Sequence, residues 1–254
     1  EASLKYFLMG AFSTGFLLFG ITLIYGATGS FDIDKIQAYL VNNSQTISPI
    51  FYPGVILMMI GLSFKVGAAP FHFWTPDVYE GAPVAVTSYL SVISKGSMLF
   101  VMTSVLFTVF GKLLFQWYNI LAVMAVLSMI VGNLFAIRQQ NIKRFLAFSS
   151  ISQVGFILIG ISGSSQAGSA SLVYFVLIYV FSNLAAFGVV TVVSALTGKE
   201  NISDFKGFYK TNPFLSWVLT IALFSLAGVP PTAGFFGKLF LMMAGAAKDN
   251  YGLI

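Results

Sequence analysis

Apolar runs of about 20 residues recur from one end of this chain to the other, separated only by short polar stretches. An α-helix rising about 1.5 Å per residue needs that length to cross a hydrocarbon core roughly 30 Å thick. Within such a core every backbone N–H and C=O must be paired inside its own segment, so runs of this length select helices. Of the 254 residues 57% are hydrophobic and 8% charged, against about a quarter charged in soluble domains, which excludes a water-soluble fold. The pattern predicts an all-α, polytopic membrane helical bundle. Seven spans are expected, at 6–26, 51–70, 84–110, 118–137, 145–161, 168–197 and 213–246. No connection between them is long enough to be a separate domain, so residues 1–254 are expected to form a single transmembrane domain.

There is no cysteine and only one histidine, so iron–sulfur clusters, disulfides and multi-histidine metal or haem sites lack ligands. No glycine-rich dinucleotide fingerprint, Walker loop or serine–histidine–acid arrangement is present, which removes nicotinamide and ATP binding by those motifs. No metal or cofactor is therefore expected in the chain. The formal charge of +5 is scattered and forms no patch of the kind that binds nucleic acid. It reads instead as topology. Lys5, Arg138, Lys143, Arg144, Lys199, Lys206 and Lys210 fall on one side of the predicted spans and Lys35, Lys112 and Lys248 on the other, which puts the first group in the cytoplasm or matrix. Trp74, Trp117, Tyr118 and Trp217, near span ends, suit an aromatic belt. Residues 1–5 lack the features of a signal peptide. The chain opens almost directly into a span, as if cut from something longer.

Two spans are interrupted, by VGAAPFHFWTP and by LAGVPPTAGFFG. Proline removes a backbone donor and glycine relaxes helical geometry. Non-helical backbone at membrane depth persists only inside protein or along a wet cavity, so the pair of breaks points to a conduit; a lone break would read as a simple kink. Lys65 and Lys95 fall near the midplane of the second and third spans, and Lys238 lies beyond the second break between apolar flanks. Placing one lysine at a helix centre costs about 2.5–3.5 kcal/mol, so such residues face a bundle interior or water. Burial disfavours the charged form of a lysine, and a lysine so held can accept and release a proton. His72 follows the first break and suits a proton relay, although a lone histidine in an aromatic loop also reads as a satisfied structural hydrogen bond or an interface residue. Asp77 and Glu80 read as solvated charges at the cytoplasmic mouth. Asn133, Ser149, Ser150, Ser152, Gln153, Ser182 and Asn183 lie inside spans. They fit either a hydrated proton wire or ordinary interhelical hydrogen bonding.

FKVGAAPFHFWTPDVYEGAP (64–83), IRQQNIKRFLAFSSISQVGF and SLAGVPPTAGFFGK carry a specific likeness. The chain resembles the antiporter-like membrane subunits of respiratory complex I, the proton-pumping NADH:quinone oxidoreductase, and within them the N-subunit branch, called subunit 2 in mitochondria. The likeness covers nearly the whole chain and implies that it corresponds to about helices 6 to 12 of a longer subunit. It implies inverted-repeat architecture, with two discontinuous helices in corresponding positions. It assigns Lys65 to the central lysine of the family's seventh helix, Lys95 to that of the eighth, Lys238 to the exit lysine and His72 to the histidine after the seventh-helix break. The glutamate that pairs with the seventh-helix lysine lies upstream in the family, and Glu1 is not its counterpart. NADH and quinone are used by partner subunits, other membrane subunits of complex I surround the chain, and the expected location is a bacterial inner membrane, or a mitochondrial inner or thylakoid membrane. The alternative is a subunit of a multisubunit cation/proton antiporter, and a third reading is an assembly scaffold with inert lysines.

Overall fold

A computed structural model describes residues 1–43, 46–162 and 166–246; Lys248 lies outside them. The helices are α1 (Ala2–Thr28), α2 (Ile33–Asn42), α3 (Phe51–Val66) and α4 (Trp74–Gly81), then α5 (Val84–Val109). They continue with α6 (Leu114–Ala136), α7 (Ile142–Ser162), α8 (Gln166–Thr197), α9 (Pro213–Ala227) and α10 (Ala233–Ala246). Among the described residues the only extended pairing is an isolated bridge between Asn141 and Asn201. α1, α5, the Trp117–Ala136 part of α6, α7 and α8 are each long and apolar enough to cross a membrane. α3 and α9, at 16 and 15 residues, reach only about 24 and 22 Å. Each stops at a break, after which α4 and α10 continue. The polar connection after α1 itself folds into a helix, α2, capped by the Asp32 side chain, which accepts from the Asp34 N–H at 3.0 Å.

The two breaks have one local chemistry. α3 ends at Gly67, with φ +72°, and α9 at Gly228, with φ +80°, the left-handed conformation that favours glycine. The Ala68 N–H returns to the Ser63 carbonyl and the Val229 N–H to the Phe224 carbonyl, each at 3.0 Å, closing the same C-terminal motif. A cis proline peptide follows in both, Ala69–Pro70 and Pro230–Pro231.

Helices in lipid have little hydrophobic drive to associate and depend on close contact instead. Glycine supplies it here. A Cβ on Gly20 of α1 would stand 2.7 Å from the Gly54 carbonyl oxygen of α3, and one on Gly54 would stand 3.0 Å from that of Gly20. Gly132 of α6 and Gly155 of α7 join their helices in the same manner, with the Ser152 nitrogen 2.6 Å and the Ala125 oxygen 2.8 Å from where a Cβ would be. Trp74 and Trp117, expected in a lipid-facing belt, are instead buried; their indole N–H groups donate to the Phe64 and Phe110 carbonyls, each at 2.9 Å. Only Trp217 is largely exposed. A buried indole must satisfy its N–H, and a carbonyl freed near a helix end is the partner at hand.

The apolar core falls into two clusters, stacked along the helices. One takes Leu99–Val109 of α5, Val154–Ile161 of α7 and Leu172–Val176 of α8. The other takes Val84 and Leu90 of α5, Ile142–Ala147 of α7 and Tyr179–Val193 of α8. Between them lie the buried Ser91 and Lys95 on α5 and Ser150, Ser152 and Gln153 on α7, flanked by Ser182 and Asn183 at the near end of the second cluster on α8. A polar stratum thus crosses the bundle between two apolar ones, at the level of the breaks. Immediately before Lys95, α5 loosens into a π-helical turn over Leu90–Ser94, a distortion that shifts the facing of the residues after it.

Gly54→Ala is expected to separate α1 from α3 and to lower stability by about 1–3 kcal/mol through overpacking. Gly10→Ala, with nothing within 4 Å of the added methyl, is expected to be neutral or slightly stabilising. Thermal unfolding of the full-length subunit in detergent measures both.

Candidate functional site

Lys95 is fully enclosed, with no exposed surface. Removing an ammonium from water is costly unless neighbouring dipoles replace the water. Its Nζ donates to Ser150 Oγ of α7 at 2.6 Å, and Ser150 in turn donates to the Ala147 carbonyl at 2.8 Å. The Tyr79 ring lies 5.4 Å from Nζ, where its face attracts a cation. The end of α3 lies alongside, since a Cβ on Gly67 would be 3.5 Å from Nζ. A helix C-terminus carries partial negative charge. No carboxylate pairs with Lys95 among the described residues. Neutral dipoles alone hold it.

Lys238 has a parallel setting at the second break. Its backbone belongs to α10, beyond the break as the sequence implies, but the side chain turns back onto it. Nζ donates to the Leu226 carbonyl at 2.8 Å and the Ala227 carbonyl at 3.1 Å, capping the end of α9, and stands 4.5 Å from the Phe156 ring centroid. Gly228 is needed twice: for its positive φ, and because a Cβ there would meet Lys238 Cδ at 2.9 Å.

α7 connects the two lysines. Gln153, three residues on from Ser150, donates from Nε2 to the same Leu226 carbonyl at 2.7 Å. Residues three apart on a helix are surface neighbours, roughly 5–6 Å between Cβ atoms. Polar groups therefore run from Lys95 to Ser150, along one turn of α7 to Gln153, and through the Leu226 oxygen to Lys238. α8 flanks this row, with Ser182 bonded to Ser225 at 2.8 Å and Tyr179 donating to the Ser91 carbonyl at 3.0 Å. Of the polar residues singled out inside spans, Asn133 is exposed on the outer face of α6 and takes no part.

Lys65 lies apart from this row. Its ammonium reaches α1, where Thr14 Oγ1 accepts at 3.4 Å, while its neighbour Ser63 faces α6 through Met124. His72 is buried, within electrostatic range of Lys95, and its Nδ1 has no partner among the described residues. Its ring also makes a backbone hydrogen bond at Pro70. Sequence reading did not single out Thr75, Tyr79, Ser91 or Tyr179; Thr75 and Tyr79 are four apart in α4 and so share a face, the one available signal.

At the mouth the charges expected to be solvated are paired. Asp77 bonds both Lys5 and Arg144, and Arg144 Nη1 reaches Asp77 Oδ1 and Glu80 Oε2 at 2.7 Å each. The buried Lys143 pairs with Glu200 at 2.9 Å and donates to the Ala82 carbonyl at 3.2 Å. RQQNIKR thus fastens α4 and the 198–202 segment to the start of α7, beyond any role in topology.

The fold is that of a polytopic membrane helical bundle with two matching helix breaks, an enclosed lysine beside the first and a partly buried lysine on the second. The chain belongs to the NADH:quinone oxidoreductase/Mrp antiporter transmembrane family, whose model matches residues 1–254. It is 49% identical to NADH-quinone oxidoreductase subunit N of Azobacteroides pseudotrichonymphae, covering 100% of this chain and 52% of the relative. It is 43% identical to NAD(P)H-quinone oxidoreductase subunit 2 of Synechocystis, covering 100% and 49%. The chain spans about half the length of the curated relatives it matches. Among solved structures, a chain of respiratory complex I from Thermus thermophilus superposes with a TM-score of 0.81 at 32% identity, covering 100% of this chain and 54% of that one. A chain of the Mrp complex from Dietzia gives 0.89 at 24% identity, covering 99% and 46%, and shares the fold.

Burial works to raise the Glu200 carboxyl, but the hydrogen bond and charge of Lys143 outweigh it and hold the group below the ordinary glutamate range. The stabilisation this linkage contributes is complete above the ordinary glutamate pKa and is lost as pH falls through the depressed folded value. Glu200→Gln is expected to cost about 1–3 kcal/mol, between the values for surface and buried pairs, and to flatten the acid limb of a melting-temperature profile against pH.

Proposed function

We propose that this chain is the proton-translocating part of a membrane-arm subunit of a NADH:quinone oxidoreductase, with Lys65, Lys95, His72 and Lys238 carrying the proton path. The carrying observation is the row from Lys95 through Ser150, Gln153 and the Leu226 carbonyl to Lys238. Redox chemistry takes place in partner subunits, which use NADH and quinone; this chain contributes charge movement only. Its surroundings are other membrane subunits and the lipid of a bacterial inner membrane, or of the corresponding organelle membrane.

Quinone reduction nearby changes the electrostatic field at Lys65. Its charge moves, and the change is felt at Lys95. A unit charge displaced to about 10 Å shifts the energy of an ammonium by about 1.7 kcal/mol at an effective dielectric near 20, more than tenfold in its protonation equilibrium. Because Lys95 has no carboxylate to hold its proton, a shift of this size is enough to redistribute it. The proton passes along the α7 face over water held by these polar groups to Lys238, which releases it on the far side. His72 supplies a second exchange point beside the first break.

The relatives at 43–49% identity favour this over a cation/proton antiporter, for which the likeness is one of fold at 24%. Sodium-dependent proton exchange by a purified complex lacking quinone reductase activity would reverse the ranking. In the full-length subunit, assembled in its complex in proteoliposomes, Lys95→Ala and Lys238→Ala are each expected to slow coupled proton translocation at least about tenfold, the size of a proton-transfer contribution. Undiminished pumping with normal quinone reduction by either variant rejects its residue as a member of the path.

A further inference from the structure

Among the described residues, three buried side-chain polar atoms have no hydrogen-bond partner, and all three lie in one stretch: His72 Nδ1, Thr75 Oγ1 and Tyr79 OH. Buried polar groups in folded proteins are almost always paired, with protein or with ordered water. Three unpaired atoms within eight residues, all on the break and the helix that follows it, mark a place where water belongs.

For Thr75 the separation of the unpaired atom itself from the Lys95 ammonium is bounded. The point where a Gly67 Cβ would stand is 2.7 Å from Thr75 Oγ1 and 3.5 Å from Lys95 Nζ. The hydroxyl and the ammonium are thus at most 6.2 Å apart. Two successive hydrogen bonds of about 2.8 Å span nearly that distance. The lysine ammonium has three N–H donors, and the bond to Ser150 uses one of them. Gly67 keeps the intervening space free of a side chain.

We propose that Thr75 holds an ordered water against the Lys95 ammonium and so acts as a positioning residue for proton exchange at that lysine. The water accepts an N–H of Lys95 and bonds to the Thr75 hydroxyl, which fixes its lone pair toward the ammonium. α4, carrying Thr75, is fastened at its other end by Asp77 and Glu80 to Lys5 and Arg144. The water site is therefore set by the same half-helix that the mouth charges hold in place. This inference rests on the proton-path reading of Lys95.

The experiment compares Thr75→Val, Thr75→Ser and Lys95→Ala in the full-length subunit within the intact complex in proteoliposomes. Valine keeps the shape of threonine and deletes the hydroxyl. Coupled proton translocation is expected to fall about tenfold in Thr75→Val, the effect of one hydrogen bond in the reacting state. Thr75→Ser, which retains the hydroxyl, is expected to stay within about twofold by the same argument. A purely structural threonine predicts the opposite for valine, because losing an unpaired buried hydroxyl leaves stability and pumping unchanged or improved. Thr75→Val at the wild-type rate, with Lys95→Ala impaired, overturns the water site alone; equal impairment in the valine and serine variants also overturns it. Wild-type rates in Lys95→Ala overturn the proton-path reading beneath it. If Thr75→Val fails to assemble, a cryo-EM map of the wild-type complex decides. Density bonded to both Thr75 Oγ1 and Lys95 Nζ supports the site, and a hydroxyl paired with a protein group instead overturns it.

Discussion

An ammonium at membrane mid-depth with no carboxylate beside it sets the terms for everything around it. Lys95 has a serine oxygen, a tyrosine face and the carboxyl end of a helix to replace water. Each is a neutral dipole or a partial charge. None can approach unless the backbone comes close, so α3 ends in a glycine there, and α5 carries a π-helical turn before the lysine. The apolar clusters above and below confine the polar atoms to one level. In that low-dielectric layer a dipole is worth more than in water, and an unmade bond costs more.

The lysine at the second break is held differently. Lys95 comes to the end of α3 from a separate helix, whereas Lys238 belongs to the continuation of the broken helix and folds back onto it. A helix interrupted inside a bilayer leaves carbonyls without partners; at the first break the Trp74 indole and the backbone N–H groups of Gly67 and Ala68 serve them. At the second break the lysine itself is the cap, shared with Gln153. There the broken helix end supplies acceptors for the ammonium, and the ammonium caps the break.

Lys65 is held differently. It reaches Thr14 on α1 while the Lys95 row runs toward α7, so the two lysines near the first break face separate neighbours. The end of α3 and the segment 67–73, which carries His72, follow Lys65 in the chain and lie alongside Lys95. The mouth network of Lys5, Asp77, Glu80 and Arg144 ties the far end of α4 to α1 and α7.

Much of this was legible in the amino-acid sequence. Run length and the scarcity of charge dictate membrane-spanning helices, because backbone polar groups have no other partners in lipid. Glycine with proline inside apolar runs marks both breaks, and the lysines stand out because their cost at mid-depth is large. What the sequence did not decide is which polar residues meet. Asn133 and Gln153 are both polar amides inside apolar runs, yet one faces outward and the other bridges to Leu226. Trp74 and Trp117 look like interface anchors and are core donors. Asp77 and Glu80 look solvated and are paired. Composition and spacing report the solvent a segment needs, a one-dimensional property. The rotation of each helix about its axis is set by glycine contacts with neighbours distant in sequence, and that rotation, fixed only in the tertiary structure, decides which side chains share the polar layer.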